Sequence, residues 1–152
     1  MEEKEGYKPT HVVTLQPTSP FRLPSDIDKC VDLALASKAE TVISVTKVSQ
    51  HPYWMFRGEK TNSGLILEPY EKIDLTGDVL VSQSLPQNIF YPNGAVYVTR
   101  VEIINEGRIF GRKILGYEMP RIRSIDIEDP LDFIVAENLL KVVHENDESW
   151  SF

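Results

Sequence analysis

Two carboxylates late in the chain have a spacing that suits a metal ion. They are Asp126 and Glu128, in the segment 124–128. Side chains alternate along an extended chain, so both would project from one face if this segment is extended. Mg²⁺ takes oxygen ligands and usually binds one or two carboxylates together with substrate phosphates. The pair therefore indicates a magnesium site, and the alternative is a solvated acidic segment that leads into a helix.

A polar turn stiffened by two prolines follows the first predicted strand. Its sequence is Leu15-Gln16-Pro17-Thr18-Ser19-Pro20-Phe21-Arg22. The prolines restrict the backbone, so the amide of Gln16 and the hydroxyls of Thr18 and Ser19 would be held in place. Preset donors bind hydroxylated ligands at a low ordering cost, and ligands of open α/β sheets bind where such a turn falls. Ligand contact is one interpretation, and a turn that caps the next helix is the other.

A third candidate segment contains an Asn-Gly pair and follows Gln83. It reads Asn93-Gly94-Ala95-Val96-Tyr97. Glycine permits a tight turn and lets a ligand approach the backbone, while asparagine offers both a donor and an acceptor. Asn-Gly is also a common hairpin turn, so this segment alone is weak evidence for a binding site. It supports one only because it occurs in sequence order with the other two segments.

Taken in order, the three segments resemble the motifs of CMP-sugar synthetases, the acylneuraminate cytidylyltransferase family. Residues 15–22 resemble its LQPTSPxR signature, residues 83–97 its RQxLP and NGAxY blocks, and residues 124–132 its SIDIDTxxD segment. The resemblance extends from about residue 6 to residue 140. It implies a nucleotidyltransferase that transfers CMP from CTP to a nonulosonic, sialic-acid-like sugar acid and releases pyrophosphate.

The resemblance also implies roles for single residues. Asp126 and Glu128 would be the catalytic pair that holds the Mg²⁺ carrying CTP, with Glu128 standing where the family has a second aspartate. The substrate-binding residues would be Gln16, Thr18, Ser19, Arg22, Gln83, Asn93, Gly94 and Tyr97.

The residues near the implied sugar site depart from the family in one respect. Members that use sialic acid carry arginines near Ser82 and Tyr91, where a planar guanidinium can hold a carboxylate, and neither position is basic here. Four other cations are candidates for charge compensation, although each is first interpreted as a surface charge: Arg22, Lys72, Arg121 and Arg123. The sugar acid therefore stays open, as does transfer of another nucleotide to another sugar.

The predicted elements at the start of the chain form a βαβ unit. Residues 10–15 are apolar on both faces of a predicted strand, and residues 41–48 are β-branched and apolar. Between them we predict a helix from an N-cap at Ser25 to about Ser37, with Asp26 in its first turn. Such a unit is normally parallel and right-handed.

The later elements complete the fold class. We predict strands at residues 95–99 and 113–118, a short helix at 101–105 and a closing helix capped by Asp129. That helix would bury an apolar stripe formed by Leu131, Ile134, Val135, Leu139 and Val142. With the resemblance, this predicts an α/β fold, an incomplete doubly wound and mostly parallel Rossmann-like sheet of the nucleotide-diphospho-sugar transferase type.

One region departs from this regular pattern. From about residue 51 to residue 91 no clean period is visible, and a polar turn lies at residues 61–64. We predict an arm of hairpins inserted into a single partial domain that spans residues 1–152. We expect the arm to serve dimerisation and His51 to be a turn residue.

Composition excludes some classes of function. The 152 residues carry a formal charge of −7, which repels nucleic acid, and no apolar stretch is long enough for a spanning helix. We expect a cytoplasmic protein. Its single cysteine, Cys30, excludes an internal disulfide and lies on an apolar helix stripe, so we predict a buried thiol.

The start of the sequence leads to a further expectation. In the family a glycine-rich, basic nucleotide loop precedes the LQPTSPxR signature, and only fourteen residues precede Leu15 here. We expect a C-terminal portion that is catalytic when a complementing N-terminal chain or portion completes it. The alternative is a non-catalytic remnant that binds the sugar and assembles. We expect a partner chain, either a second copy in a homodimer or the complementing N-terminal chain.

Overall fold

The computed structural model describes residue 6 and residues 8–71 and 85–146. The described residues belong to two compact units. The first is drawn from Met1–Thr46 and Tyr91–Phe152, and the second from Lys47–Phe90. The second unit covers most of the region in which the sequence analysis predicts an inserted arm.

Six strands and three α-helices are described. In chain order they are β1 (His11–Thr14), α1 (Pro24–Ala36), β2 (Thr41–Lys47), β3 (Phe56–Thr61), β4 (Gly64–Pro69), β5 (Phe90–Arg100), α2 (Val101–Asn105), β6 (Ile114–Glu118) and α3 (Pro130–Asn146). Two 3₁₀ turns, Pro52–Trp54 and Arg121–Arg123, lie between them. The predicted helices and strands outside the arm are all present with ends close to those expected, except that β5 begins at Phe90, five residues before its predicted start.

The main sheet is mixed, not mostly parallel as predicted. Its strand order is β1-β5-β2-β6. β5 lies between β1 and β2 and pairs antiparallel with β1, in a register that sets Thr14 opposite Tyr97. β2 pairs parallel with β6. The α/β class is therefore confirmed, whereas the predicted βαβ unit does not join neighbouring strands.

The core forms where α1 packs on this sheet. Cys30 and Ala34 of α1 are buried with Val42 of β2, Val96 of β5 and the nearby Met119. The predicted buried thiol of Cys30 is confirmed, since it is fully buried. Burial, together with the negative charge of Asp26, raises the pKa of this thiol to about 12. The thiol therefore stays protonated and acts as a small apolar side chain.

The start of α1 differs from its prediction. Its N-cap is Leu23 instead of Ser25, because Pro24 already occupies the first helical position. Leu23 and Asp26 exchange hydrogen bonds: the N–H of Leu23 donates to Asp26 Oδ2 at 2.9 Å, and the N–H of Asp26 donates to the Leu23 carbonyl at 3.0 Å. An acid at the third helical position thus caps a residue that has no capping side chain.

Helix α3 begins as predicted but does not bury the predicted stripe. Asp129 Oδ1 accepts hydrogen bonds from the N–H groups of Leu131 and Asp132, at 2.7 and 3.0 Å, which confirms the N-cap. Leu131, however, is 66% exposed. Ile134, Val135 and Val142 are also exposed and Leu139 is half-buried, while Ala136 is the buried residue among the side chains described for this helix. Apolar periodicity marks a face that needs a partner, and the described residues cover only part of it.

The second unit contains an antiparallel hairpin. β3 pairs with β4, and the turn at Gly64 has the positive φ that favours glycine. His51 is a turn residue as expected: its Nδ1 accepts the N–H of Tyr53 at 3.2 Å, and its Nε2 lies 3.2 Å from the Pro86 carbonyl oxygen. Within the described residues, no helix has the length and apolar character needed to cross a membrane.

Substitution of a buried and of an exposed apolar side chain, Met119 and Leu131, tests this packing. Met119 is 1% exposed, so Met119→Ala should lower the free energy of unfolding by about 2–5 kcal/mol through lost burial and a residual cavity. Leu131→Ala is the control and should change it by less than about 0.5 kcal/mol, as exposed substitutions do. Denaturant unfolding of both variants measures the difference, and a comparable loss in Leu131→Ala would contradict its exposure.

Candidate functional site

Three of the predicted site residues meet at Gly94. A Cβ atom built at this position would lie 2.6 Å from Gln16 Oε1 and 3.2 Å from Asp126 Oδ2. Gly94 also has a φ of +76°, in the left-handed region. The side-chain amide of Gln16 and the carboxylate of Asp126 therefore approach the same short piece of backbone, which only glycine accommodates.

Strand register explains why these distant residues meet. β1 and β5 are antiparallel, so the chain leaving β1 after Thr14 runs beside the part of β5 that precedes Tyr97. Gln16 is thereby brought next to the Asn-Gly pair. The segment that contains Asp126 joins them through a backbone contact, because the N–H of Ile127 donates to the carbonyl of Thr18 at 2.9 Å. All three candidate segments therefore lie at the same end of the β1–β5 strand pair.

Arg22 holds two of these segments together. Its Nη1 donates to the carbonyl of Gln16 at 3.0 Å and to the carbonyl of Ala95 at 2.8 Å. Neither contact is to a charged group, and both fix backbone on either side of the site. Arg22 was predicted as a substrate-binding residue or surface charge, and its described contacts are those of a bridge between β5 and the turn after β1.

Asn93 is turned into the protein. It is 1% exposed, and its Oδ1 lies 2.6 Å from Ser44 Oγ and accepts the N–H of Ala95 at 3.2 Å. Its Nδ2 donates to Ser124 Oγ at 2.8 Å and to the sulfur of Met119 at 3.4 Å. With both ends of the amide engaged, the side chain connects β2, β5 and the segment before Asp126.

The carboxylate of Asp126 retains an unused oxygen. Its Oδ1 is buried and has no hydrogen-bond partner among the described residues. Buried carboxylate oxygens are normally paired, so such an atom marks a place for a cation or a donor. Tyr97 is near enough to be influenced by this carboxylate: burial raises the pKa of its phenol, and the charge of Asp126 raises it further. The phenol therefore keeps its proton at neutral pH and can donate a hydrogen bond.

The second predicted metal ligand is placed differently. Glu128 is exposed, and its N–H donates to Asp132 Oδ2 at 3.0 Å on the way into α3. The segment 124–128 is not a strand, and Ser124 itself has φ −109° and ψ 23°. The described residues contain no cluster of three or more His, Cys, Asp or Glu side chains that suits a metal ion. Asp126 is thus the carboxylate that faces Gln16 and Gly94.

The remaining predicted residues are placed as follows. Thr18 is half-buried in the turn, and Ser19 is buried with its Oγ lacking a hydrogen-bond partner among the described residues. Gln83, like Ser82 and Lys72, lies outside the described residues. Tyr91 is 42% exposed at the start of β5.

Sequence reasoning missed a buried polar cluster beside the site. Asp26 is fully buried, and its Oδ1 accepts a hydrogen bond from the hydroxyl of Tyr117 at 3.0 Å. The same oxygen lies 3.2 Å from Nη2 of Arg123, which is 8% exposed and not the surface charge first expected. No local signal reveals this pair, since nearly a hundred residues separate its members.

The structure brings the Gln16 amide and the Asp126 carboxylate together at Gly94, and comparison with known proteins gives this arrangement a context. An N-acylneuraminate cytidylyltransferase of Escherichia coli O18:K1:H7 is 33% identical over 124 residues, which cover 80% of this chain and 28% of that protein. A CMP-N,N'-diacetyllegionaminic acid synthase of Legionella pneumophila is 29% identical over 136 residues, covering 88% of this chain and 55% of the relative. An N-acylneuraminate cytidylyltransferase of Streptococcus agalactiae serotype III is 28% identical over 127 residues.

These relatives confirm the predicted resemblance to the acylneuraminate cytidylyltransferase family, a family of nucleotidyltransferases. The chain spans between 28% and 55% of the length of these curated relatives. No protein-family model matches the chain.

A pair of glycine variants tests the crowding at the site. Gly94→Ala and Gly107→Ala both force alanine into the left-handed region, at φ +76° and +74°, which costs roughly 1–2 kcal/mol of stability each. Only the Cβ at position 94 meets other atoms, because the space around position 107 is open within 4 Å. The atoms that it meets are the ends of the Gln16 and Asp126 side chains, which can move, so we expect Gly94→Ala to displace them at little additional cost in stability. The side-chain amide resonances of Gln16 measure this displacement, and resonances that stay unchanged in Gly94→Ala, as they should in Gly107→Ala, would contradict the contact with Gln16.

Proposed function

We propose that the chain forms the sugar- and metal-facing part of a cytidylyltransferase site, in which CMP passes from CTP to a nonulosonic, sialic-acid-like sugar acid and pyrophosphate leaves. One observation carries the proposal: the Gln16 amide and the Asp126 carboxylate converge on Gly94, although the three residues are far apart in sequence. The names of the similar proteins supply the reaction, and the convergence supports its location in this chain.

The described side chains divide into two roles. Gln16 and the protonated phenol of Tyr97 would orient the sugar acid through hydrogen bonds, with Thr18 and Ser19 at the edge of the same turn. Asn93, predicted to contact the sugar, instead would position Gly94, because its amide is occupied inside the protein. Arg22 would act in the same way by tying the Gln16 and Ala95 carbonyls together.

Asp126 fits a magnesium ion in one respect that the structure displays. Its buried Oδ1 has no partner among the described residues, and Mg²⁺ often takes only one or two protein carboxylates, the other ligands being phosphate oxygens and water. When bound, the ion would neutralise charge on the phosphates of CTP during transfer. Asp126 would hold it from the protein side, and the exposed Glu128 is the second candidate ligand.

We also propose that the chain forms a homodimer through the hairpin of the second unit, because this hairpin exposes apolar side chains. Its exposed apolar side chains are Met55, Phe56, Leu65, Ile66, Leu67 and Tyr70. An exposed apolar patch of this kind commonly marks an interface between proteins.

Metal-dependent nucleotide binding tests the proposed site. In calorimetric titrations of the full chain, CTP should bind only with Mg²⁺ present, and Asp126→Asn should weaken that binding about ten- to a hundredfold. A charge-assisted contact contributes about 1.5–3 kcal/mol, and each 1.4 kcal/mol is a factor of ten. The control is Asp28→Asn, which removes the same charge from an exposed position of α1 and should change nothing.

The same titrations separate the proposal from its alternative. A chain that binds N-acetylneuraminate or another nonulosonic acid, yet shows no metal-dependent affinity for CTP even with the complementing N-terminal portion added, would be a non-catalytic sugar-binding module. Binding of CTP with equal affinity in Asp126→Asn and in the unaltered chain would reject the role of Asp126.

A separate measurement tests assembly. Sedimentation equilibrium should report a dimer of the unaltered chain, and Leu65→Glu with Leu67→Glu should shift it to the monomer by placing charge in the interface. Ile109→Glu is the control, since Ile109 is 53% exposed and lies outside the hairpin. A monomer for the unaltered chain, or dissociation by the control alone, would contradict dimerisation through the hairpin.

A further inference from the structure

We propose that the buried Asp26–Arg123 ion pair is a positioning device that sets the direction of the chain into Asp126. Asp26 and Arg123 are positioning residues, not ligand contacts, and the inference rests on the proposed function in assigning Asp126 to the site.

The ion pair joins three elements around one carboxylate. Asp26, in the first turn of α1, is fully buried and bonds the N–H of Leu23 through Oδ2. Its Oδ1 receives the hydroxyl of Tyr117 from β6 and faces Nη2 of Arg123 at 3.2 Å. Arg123 closes the 3₁₀ turn that ends three residues before Asp126. The carboxylate thus fixes that turn against both α1 and the sheet.

Ser124 connects the 3₁₀ turn to the candidate site through a second hydrogen bond. Ser124, next to Arg123, accepts the Nδ2 hydrogen bond of Asn93 at 2.8 Å and donates to the Pro120 carbonyl at 2.9 Å. Asn93 immediately precedes Gly94, and Ser124 lies two residues before Asp126. The hydrogen bond between Asn93 and Ser124 therefore connects the chain just before Gly94 with the chain just before Asp126.

The geometry of the ion pair is poor for stability alone. Arg123 makes one contact with Asp26, not a bidentate pair, and its Nε is buried without a hydrogen-bond partner among the described residues. Buried pairs often contribute no net stability, because desolvation offsets their attraction, and an unpaired buried N–H makes this balance worse. Arg123 is also 8% exposed, so its guanidinium is withheld from phosphates in solvent. The ion pair is therefore better suited to holding the chain before Asp126 in place than to stabilising the fold.

Amide hydrogen exchange tests the inference without any need for turnover. The N–H of Ile127 bonds the Thr18 carbonyl at 2.9 Å and so reports how firmly the Asp126 segment is held against the turn after β1. In Arg123→Met this amide should exchange at least tenfold faster, whereas the N–H of Arg100, bonded to the Glu40 carbonyl, should keep its rate. The matched control is Arg121→Met, which removes an exposed arginine from the same turn and should leave both amides unchanged.

Two more variants keep the test decisive if Arg123→Met does not fold. Asp26→Asn combined with Arg123→Met removes both buried charges, leaves no unpaired one, and should fold while Ile127 still exchanges at least tenfold faster. Arg123→Lys retains the charge and should restore most of the protection. Wild-type protection of Ile127 in the double variant, or an equal acceleration of Arg100 and Ile127, would overturn the inference.

Binding of Mn²⁺, followed by its paramagnetic effect on water relaxation, separates this inference from the proposed function. If Asp126 holds a divalent ion, the double variant should bind Mn²⁺ at least tenfold more weakly and Arg121→Met should bind it normally. If the unaltered chain binds no Mn²⁺ while the variants still show faster exchange of Ile127, the metal role of Asp126 is rejected. The positioning role of the Asp26–Arg123 pair then still stands. Unchanged Mn²⁺ affinity in the double variant would reject the device.

Discussion

The antiparallel register of β1 and β5 is the constraint on which the candidate site depends. With Thr14 opposite Tyr97, the turn that leaves β1 lies beside the start of β5, and Gln16 reaches the backbone of Gly94. In a fully parallel sheet the beginning of β5 would lie at the opposite end from that turn. The reversed direction of one strand therefore brings an amide from the start of the chain to an Asn-Gly pair nearly eighty residues later.

Buried polar groups then hold the segment that contains Asp126 against the other two candidate segments. Asn93 links β2, β5 and Ser124, while Asp26 links α1, β6 and Arg123. Such groups are costly to bury unless they are bonded, so each satisfied contact excludes alternative arrangements of the chain around it. The apolar core packs α1 on the sheet, and the polar contacts fix the position of the chain that carries Asp126.

Local signals in the sequence predicted most elements but not their tertiary pairing. The short helix α2 has its predicted bounds, and Asp129 caps α3, because propensity and capping depend on a few neighbouring residues. The direction of β5 and the burial of Arg123 depend on partners far away in sequence, which periodicity cannot reveal. The exposed Leu131 shows the same limit from the other side, since an apolar stripe predicts burial without naming what covers it.

Hydrogen bonds within the protein distinguish Asn93 and Arg22 from Asp126 in the candidate site. Motif resemblance implies that Asn93 and Arg22 bind the substrate and that Asp126 holds a metal ion, yet the Asn93 amide and Nη1 of Arg22 bond within the protein. Asp126 differs because its buried Oδ1 is bonded to nothing among the described residues, and Ser19 Oγ shares this property. Since buried polar atoms rarely stay unpaired, these two atoms are where a bound ion or hydroxyl would complete the site.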